Sequence, residues 1–151
     1  QDKILEVFSD LPKMQFELHF YGGGPDESAL AQMIKGRSNV FFHGRKSNAE
    51  ILEILPQHDA LLLFSAYETF GITVFEARQA GLWTISKKDF GGSSHYDDGC
   101  LVVDSYDDLS SAIHSIASLA PATQGTFTDL TPNRVGEKLS ILYSKLLFTQ
   151  E

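Results

Sequence analysis

The sequence predicts an α/β domain built on a parallel sheet with helices on both faces, and three observations carry that prediction. Short runs rich in β-branched and aromatic residues alternate with helical text along the chain. Most of those runs stay apolar through consecutive positions, as strands covered on both faces do. The stretches between them have the length of βαβ crossovers. At 151 residues the chain makes one domain of ordinary size.

The strand candidates are Phe16 to Tyr21, Asn39 to His43, Ala60 to Ser65, Trp83 to Ser86 and a short Leu101 to Val103. Among the helices, Ile4, Leu5, Phe8 and Leu11 form a stripe at helical spacing. Pro25 to Ile34 opens with a proline and acidic residues in its first turn, where a missing N–H and negative charge are favourable. Ser47 caps a helix that holds Ile51, Leu52, Ile54 and Leu55. Further helices are expected over Ile72 to Ala80, over Tyr106 to Leu119 and at the carboxyl end over 133–148, where Val135, Leu139, Leu142 and Leu146 share a face. Two segments read as loops, Lys87 to Gly99 and Pro121 to Pro132. The first follows a strand's carboxyl end, where the loops of an open parallel sheet surround a ligand crevice.

Composition excludes several function classes. Twelve Lys and Arg stand against twenty Asp and Glu, a net charge of −8. No basic cluster is present to displace phosphate counterions, so nucleic-acid binding is set aside. With 42% hydrophobic residues the chain can bury a core, and 21% charged is too little for disorder. The single cysteine, Cys100, cannot close an internal disulfide, which points to a reducing compartment, and the cytoplasm is the expected location. No apolar run has bilayer-spanning length, and any membrane contact is expected to be peripheral. The chain opens at Gln1 and runs almost at once into helical text, and it is read as a piece of a longer protein.

The sharpest motif is FSAYETFGITVFEARQAG, from Phe64 to Gly81, in which seven residues separate Glu68 from Glu76. Glu68 falls in the turn after a strand, Gly71 permits close backbone approach, and a helix starting near Ile72 offers unpaired N–H groups and a positive dipole end. Glu76 lies about one turn inside that helix, between Phe75 and Ala77, where an ionised carboxylate is costly without hydrogen-bond donors. The pattern alone also admits a solvated helix-face acid and a turn acid. In LHFYGGGPDESAL, Gly22, Gly23 and Gly24 follow a strand, but Glu27 stands where the dinucleotide fingerprint needs glycine, and no P-loop Lys follows. A tight turn and a backbone approach to a ligand both fit those glycines. His95, Asp97 and Asp98 read as part of a loop and turn, Asp107 and Asp108 as a helix's first turn, and no metal-ligand spacing occurs, so no metal is expected. No nucleophile elbow is present.

These residues resemble the carboxyl-terminal domain of the retaining family 4 (group 1) glycosyltransferases, which have the two-domain GT-B architecture with Rossmann-like halves. SAYETFGITVFEARQAG is similar to that family's Ser-x-x-Glu-x-Phe-Gly-x-x-x-x-Glu-Ala-x-x-x-Gly. Around it, in the family's order, stand LHFYGGGP, NVFFHG, DALLLFS, then GG and DDGCLVVD, and the likeness spans nearly the whole chain. Trp83 stands where the family commonly has Pro, and His95 near a position often held by Glu.

The resemblance implies a single nucleotide-sugar-binding domain over 1–151, the donor-binding half of an enzyme that moves a sugar from a nucleotide diphosphate to an acceptor hydroxyl. It implies that Glu76 accepts hydrogen bonds from the ribose hydroxyls and that Glu68 contacts the donor sugar. Backbone at Phe70, Gly71, Ile72 and Thr73 meets sugar and diphosphate, with Gly22, Gly23, Gly24 and Arg45 bordering the nucleotide. Family members supply an Arg and a Lys to the diphosphate from a Gly-Arg strand and the Lys-Gly after it. Here that strand is absent, and Lys3, followed by Ile4 rather than Gly, is the matching lysine. No cofactor and no metal are expected beyond the nucleotide sugar itself. The acceptor, a glycan or glycolipid of polysaccharide assembly, is expected to be held by a missing amino-terminal domain, so that this chain alone binds donor weakly and transfers little. The alternative is a non-catalytic nucleotide-binding or scaffold module of the same fold.

Overall fold

The structure, a computed structural model, describes residues 1–12, 15–65, 68–87 and 98–125. The expected helix over 133–148, the Gly-Gly loop with His95 and most of the segment from Pro121 to Pro132 lie outside them. The element order is α1 (Asp2–Ser9), β1 (Leu18–Phe20), α2 (Glu27–Ile34), β2 (Val40–Phe42), α3 (Asn48–Ile54) with a 3₁₀ turn (Leu55–Gln57), β3 (Ala60–Leu63), α4 (Ile72–Gln79), β4 (Trp83–Lys87), β5 (Cys100–Val103) and α5 (Tyr106–Ala117).

Local rules place these elements. Leu5 and Phe8 bury the stripe of α1, and Leu11 continues it. Ser47 caps α3 with a complete capping box, its hydroxyl accepting from the Glu50 N–H while the Glu50 carboxylate accepts from the Ser47 N–H. Ser105 caps α5 in the same way through the Asp108 N–H. The second helix begins later than its proline suggests. Asp26 is its N-cap and Pro25 lies in the turn before it, because Glu27 folds back to accept from the Gly24 N–H at 2.9 Å.

All strand pairing is parallel, and every described crossover runs through a helix. The pairing falls into two parts, β1 with β2, and β3–β4–β5 in that order. Side chains alternate across both. Leu18, Phe20, Val40, Phe42, Ala60, Leu62 and Ile85 join the main core beneath α1 and α5, while Leu61 joins a smaller core with Leu55, Ala77 and Leu82 under α3 and α4.

Between the two parts the facing edges of β1 and β3 have no strand partner among the described residues. Leu18 N–H, Phe20 C=O and Gly22 N–H bond toward β2. By the alternation of a parallel ladder, His19 and Tyr21 therefore point their backbone groups away from β2. Asp59 C=O accepts from Trp83 N–H on β4, so the groups of Ala60 and Leu62 point toward β1. A cavity of 1470 Å³ runs along both edges, lined by consecutive residues of each, from Gln15 to Gly22 and from Asp59 to Leu63.

Arg78, 3% exposed, closes the opposite end of α4. Its guanidinium donates to the carbonyls of Leu82 and Thr123, and its own carbonyl accepts from Gly125 N–H. It also lies where any Cβ on Gly99 would sit. One side chain thus ties the turn into β4, the residue before β5 and the strap over 120–125. Replacing Arg78 by Met leaves those carbonyls without their donor and is expected to cost about 2–4 kcal/mol of stability, read as a lowered urea midpoint. Gly99→Ala is expected to destabilise as well, and a wild-type midpoint in either variant would contradict the tie.

Candidate functional site

Glu68 and the first turn of α4 form one unit. Gly71 is the N-cap, with φ +77° and ψ 44°, a left-handed conformation that only glycine adopts cheaply. That backbone turns three successive N–H groups inward. The Glu68 carboxylate folds onto them, one oxygen accepting from Thr69 at 2.9 Å, Phe70 at 3.3 Å and Gly71 at 3.0 Å. The N–H nest expected to face a ligand therefore holds the protein's own carboxylate. The next two N–H groups, on Ile72 and Thr73, have no acceptor among the described residues. Ile72 itself is 64% exposed at the start of the helix.

Glu76 and Thr73 both line the large cavity, as do Gly22, Lys46 and Asn48. Glu76 is half-buried, and its carboxylate has no hydrogen bond or ion pair among the described residues. An unsatisfied carboxylate in a half-buried position is a ready acceptor for a ligand's hydroxyls.

The glycine loop stands next to this unit. Gly22, Gly23 and Gly24 line a smaller cleft of 570 Å³, and Gly22 borders both hollows. A Cβ on Gly23 would come within 2.6 Å of the Glu27 carboxylate and 3.3 Å of Arg45 Nε, so the Arg45 side chain lies against this loop. Lys3 is not brought to either hollow. It sits exposed on α1, paired with Glu6 at 2.9 Å, and that carboxylate raises its pKa.

The structure also gathers residues that motif reading passed over. Lys46 lines the cavity while pairing Glu50 at 3.4 Å. His19, Tyr21, His43 and His58 form a cluster on the face opposite the main core. Their only signal in the sequence is parity: His19 in β1 with Tyr21 just after it, and Phe41 in β2 with His43 just after it, occupy alternate positions and so share a face. Among the described residues no group of three or more His, Cys, Asp or Glu is arranged to hold a metal ion. No helix among them is long and apolar enough to cross a membrane.

Parallel sheets packed with helices define the broad class, the Rossmann-like α/β domains. The glycosyl transferases group 1 family model matches residues 1–123, and the chain belongs to that family. The GtfA subunit of UDP-N-acetylglucosamine–peptide N-acetylglucosaminyltransferase from Streptococcus pneumoniae serotype 4 is 30% identical over 97 residues, which is 64% of this chain and 19% of that protein. N-acetyl-alpha-D-glucosaminyl L-malate synthase of Bacillus anthracis is 28% identical over 85 residues, 54% of this chain and 22% of that protein. The chain thus spans about a fifth of these relatives' length. In fold it is similar to HepE of Anabaena, solved in complex with UDP and glucose, with a TM-score of 0.70 at 20% identity over 93% of this chain and 44% of that one. It is likewise similar to WaaG, a glycosyltransferase involved in lipopolysaccharide biosynthesis, with a TM-score of 0.65 at 24% identity over 78% of this chain and 34% of that one.

The backbone at Gly71 gives a direct check on the site's construction. Gly71→Ala forces a Cβ into the left-handed region and is expected to cost about 1–2 kcal/mol. It should also loosen the Glu68 carboxylate from its three donors, read as faster exchange of the Thr69 and Gly71 amide protons. Unchanged exchange would contradict the geometry.

Proposed function

We propose that this chain is the donor-binding half of a retaining glycosyltransferase of hexosyl type, which takes a uridine diphosphate sugar and, as part of a longer chain, passes the sugar to an acceptor hydroxyl. The observation that carries the reading is the α4 turn, where Ile72 and Thr73 N–H groups without acceptors stand beside a half-buried, unpartnered Glu76 at a cavity. Two amide donors at a positive helix end suit a diphosphate, and a free carboxylate one turn further suits a pair of ribose hydroxyls. Uridine is favoured by the relatives, one named for a UDP-N-acetylglucosamine reaction and one solved with UDP and glucose.

In this reading Glu76 holds the ribose and the backbone of Phe70, Gly71, Ile72 and Thr73 meets diphosphate and sugar. Gly22 to Gly24 and Arg45 border the base. Glu68 leaves the nest it occupies and turns to the sugar's hydroxyls, its place on the N–H groups taken by phosphate oxygens. The bond from the anomeric carbon to the diphosphate breaks through an oxocarbenium-like state, and an acceptor hydroxyl attacks on the same face. Charge develops on the departing diphosphate, so catalysis rests on N–H dipoles and cations placed in advance and on orientation of the sugar. Lys46, which lines the cavity, is a nearby cation, whereas Lys3 stays on α1 with Glu6, and no metal or other cofactor enters the scheme. The open edges of β1 and β3 support a longer protein, since one further strand would pair both. An acceptor glycan or glycolipid is assigned to the rest of that protein, with a cytoplasmic setting or a peripheral one at a membrane's inner face.

Thermal unfolding with UDP, GDP, ADP and their sugar conjugates tests the reading, because a ligand that binds only the folded state adds about 2.7 kcal/mol at a hundredfold excess over Kd. A midpoint raised by UDP or a UDP-sugar and weakened at least about tenfold in Glu76→Gln, a loss of about 1.4 kcal/mol, is the expected result. Equal shifts in wild type and Glu76→Gln would favour a scaffold module. Sugar transfer is expected from the longer protein and not from these 151 residues.

A further inference from the structure

Among the described residues no backbone bonds join the two sheets, so their contact there rests on side chains, which on one face include imidazoles and a phenol. His19 comes from β1, Tyr21 follows it and His43 follows β2, whereas His58 precedes β3 in the other sheet. Tyr21 Oη lies 3.0 Å from His58 Nε2, and His19 Nδ1 lies 3.0 Å from His43 Nε2. The rings of His19 and His43 are stacked at 5.2 Å, Tyr21 and His43 at 4.5 Å, and His58 leans against His19 at 4.9 Å. Of these, the contacts of His58 with Tyr21 and His19 cross the gap at which the backbone ladder stops, while those among His19, Tyr21 and His43 stay within the first sheet.

We propose that His19, His43, His58 and Tyr21 form a proton-sensitive joint between the two sheets, closed while the imidazoles are neutral and loosened when more than one of them is protonated. The chemistry follows from the donor inventory. The His19–His43 bond needs one nitrogen without a proton, so it survives one proton on the pair and not two. Tyr21 keeps its phenolic proton, since burial raises its pKa, and it donates to an unprotonated His58 Nε2. A proton on that nitrogen turns the bond round, Nε2–H donating to the Tyr21 oxygen, and sets a positive charge beside the His19 ring across the gap. Each further charge also faces another imidazole about 5 Å away.

The surrounding charges do not cancel this. Glu17 on the β1 side lies 3.3 Å from His19 and can offset one charge, and Asp59 adjoins His58. Lys46 opposes protonation from the loop after β2, and Glu50 of α3 is already paired with it. Glu76 of α4 lines the same cavity. The balance favours the neutral ring at two positions. Burial first, then His19 and Lys46, lower the pKa of His43, and burial first, then His19 and His43, lower that of His58.

The sign follows. A base whose pKa is depressed on folding binds fewer protons folded than unfolded, so stability is complete above the ordinary imidazole value of 6.5 and is lost as pH falls from there toward the lower folded values. The loss should be local. A two-stranded sheet is not stable alone, so β1 and β2 open first when the joint fails.

Amide hydrogen exchange, corrected for intrinsic rates, tests this at about pH 7.5 and about pH 5.5. Protection at Phe20 and His43 is expected to fall by about tenfold per pH unit for each extra proton taken up on opening, with a smaller change at Thr84 and Ile85. His58→Phe keeps a ring against Tyr21 and His19 without a titrating nitrogen and should flatten the difference. His43→Leu, in the other sheet, should do the same should the first variant fold poorly. Parallel loss of protection in both sheets, or a wild-type pH response in a folded variant, would overturn the joint.

Discussion

The open facing edges of β1 and β3 govern the rest of this molecule. A parallel sheet normally leaves only its outermost backbone groups unpaired, whereas here two strands in the middle of the layer point amides and carbonyls into one cavity. Among the described residues, side-chain packing therefore holds the two parts together. The apolar core under α1 and α5 does this on one face, joining Leu18 and Val40 of the first part to Ile85 and Val103 of the second. On the other face the histidine cluster does it. Apolar packing is indifferent to pH and imidazole bonding is not, so the two faces respond differently to acid.

The same gap sets the scale of the site. At 1470 Å³ the cavity exceeds the volume usual for a small-molecule pocket, and it joins Gly22 on one side to Thr73 and Glu76 on the other. Just ahead of Thr73, the start of α4 is shaped by backbone geometry. Gly71 in the left-handed region turns the chain so that a row of N–H groups converges, and Glu68 satisfies the first of them in the absence of a ligand. In the proposed function, this carboxylate is the group that gives way to a phosphate.

Much of this was legible in the sequence. Alternating strand and helix text gave the parallel topology, Ser47 gave a helix start, and the spacing of Glu68 and Glu76 placed both acids on one strand-turn-helix unit. The strands proved shorter than the apolar runs suggest, because a ladder ends where its partner ends: Phe16 to Tyr21 pairs only over Leu18–Phe20. Pro25 misled about the start of α2, since the Glu27 carboxylate competes for the turn. The gap was not legible, because strand adjacency depends on tertiary packing and periodicity does not report it. The histidines were not legible either: each is unremarkable in its own segment, and only the register of β1 with β2 and the turn before β3 bring them together.

The central claim is that the α4 turn and Glu76 are a nucleotide-diphosphate site, and amide chemical-shift mapping with UDP tests it most directly. The account predicts the largest shifts at Ile72 and Thr73, with Thr69 and Gly71 also moving as Glu68 gives up its donors, and a further set at Gly22. Shifts confined to other surfaces, with these amides unmoved at saturating UDP, would contradict it.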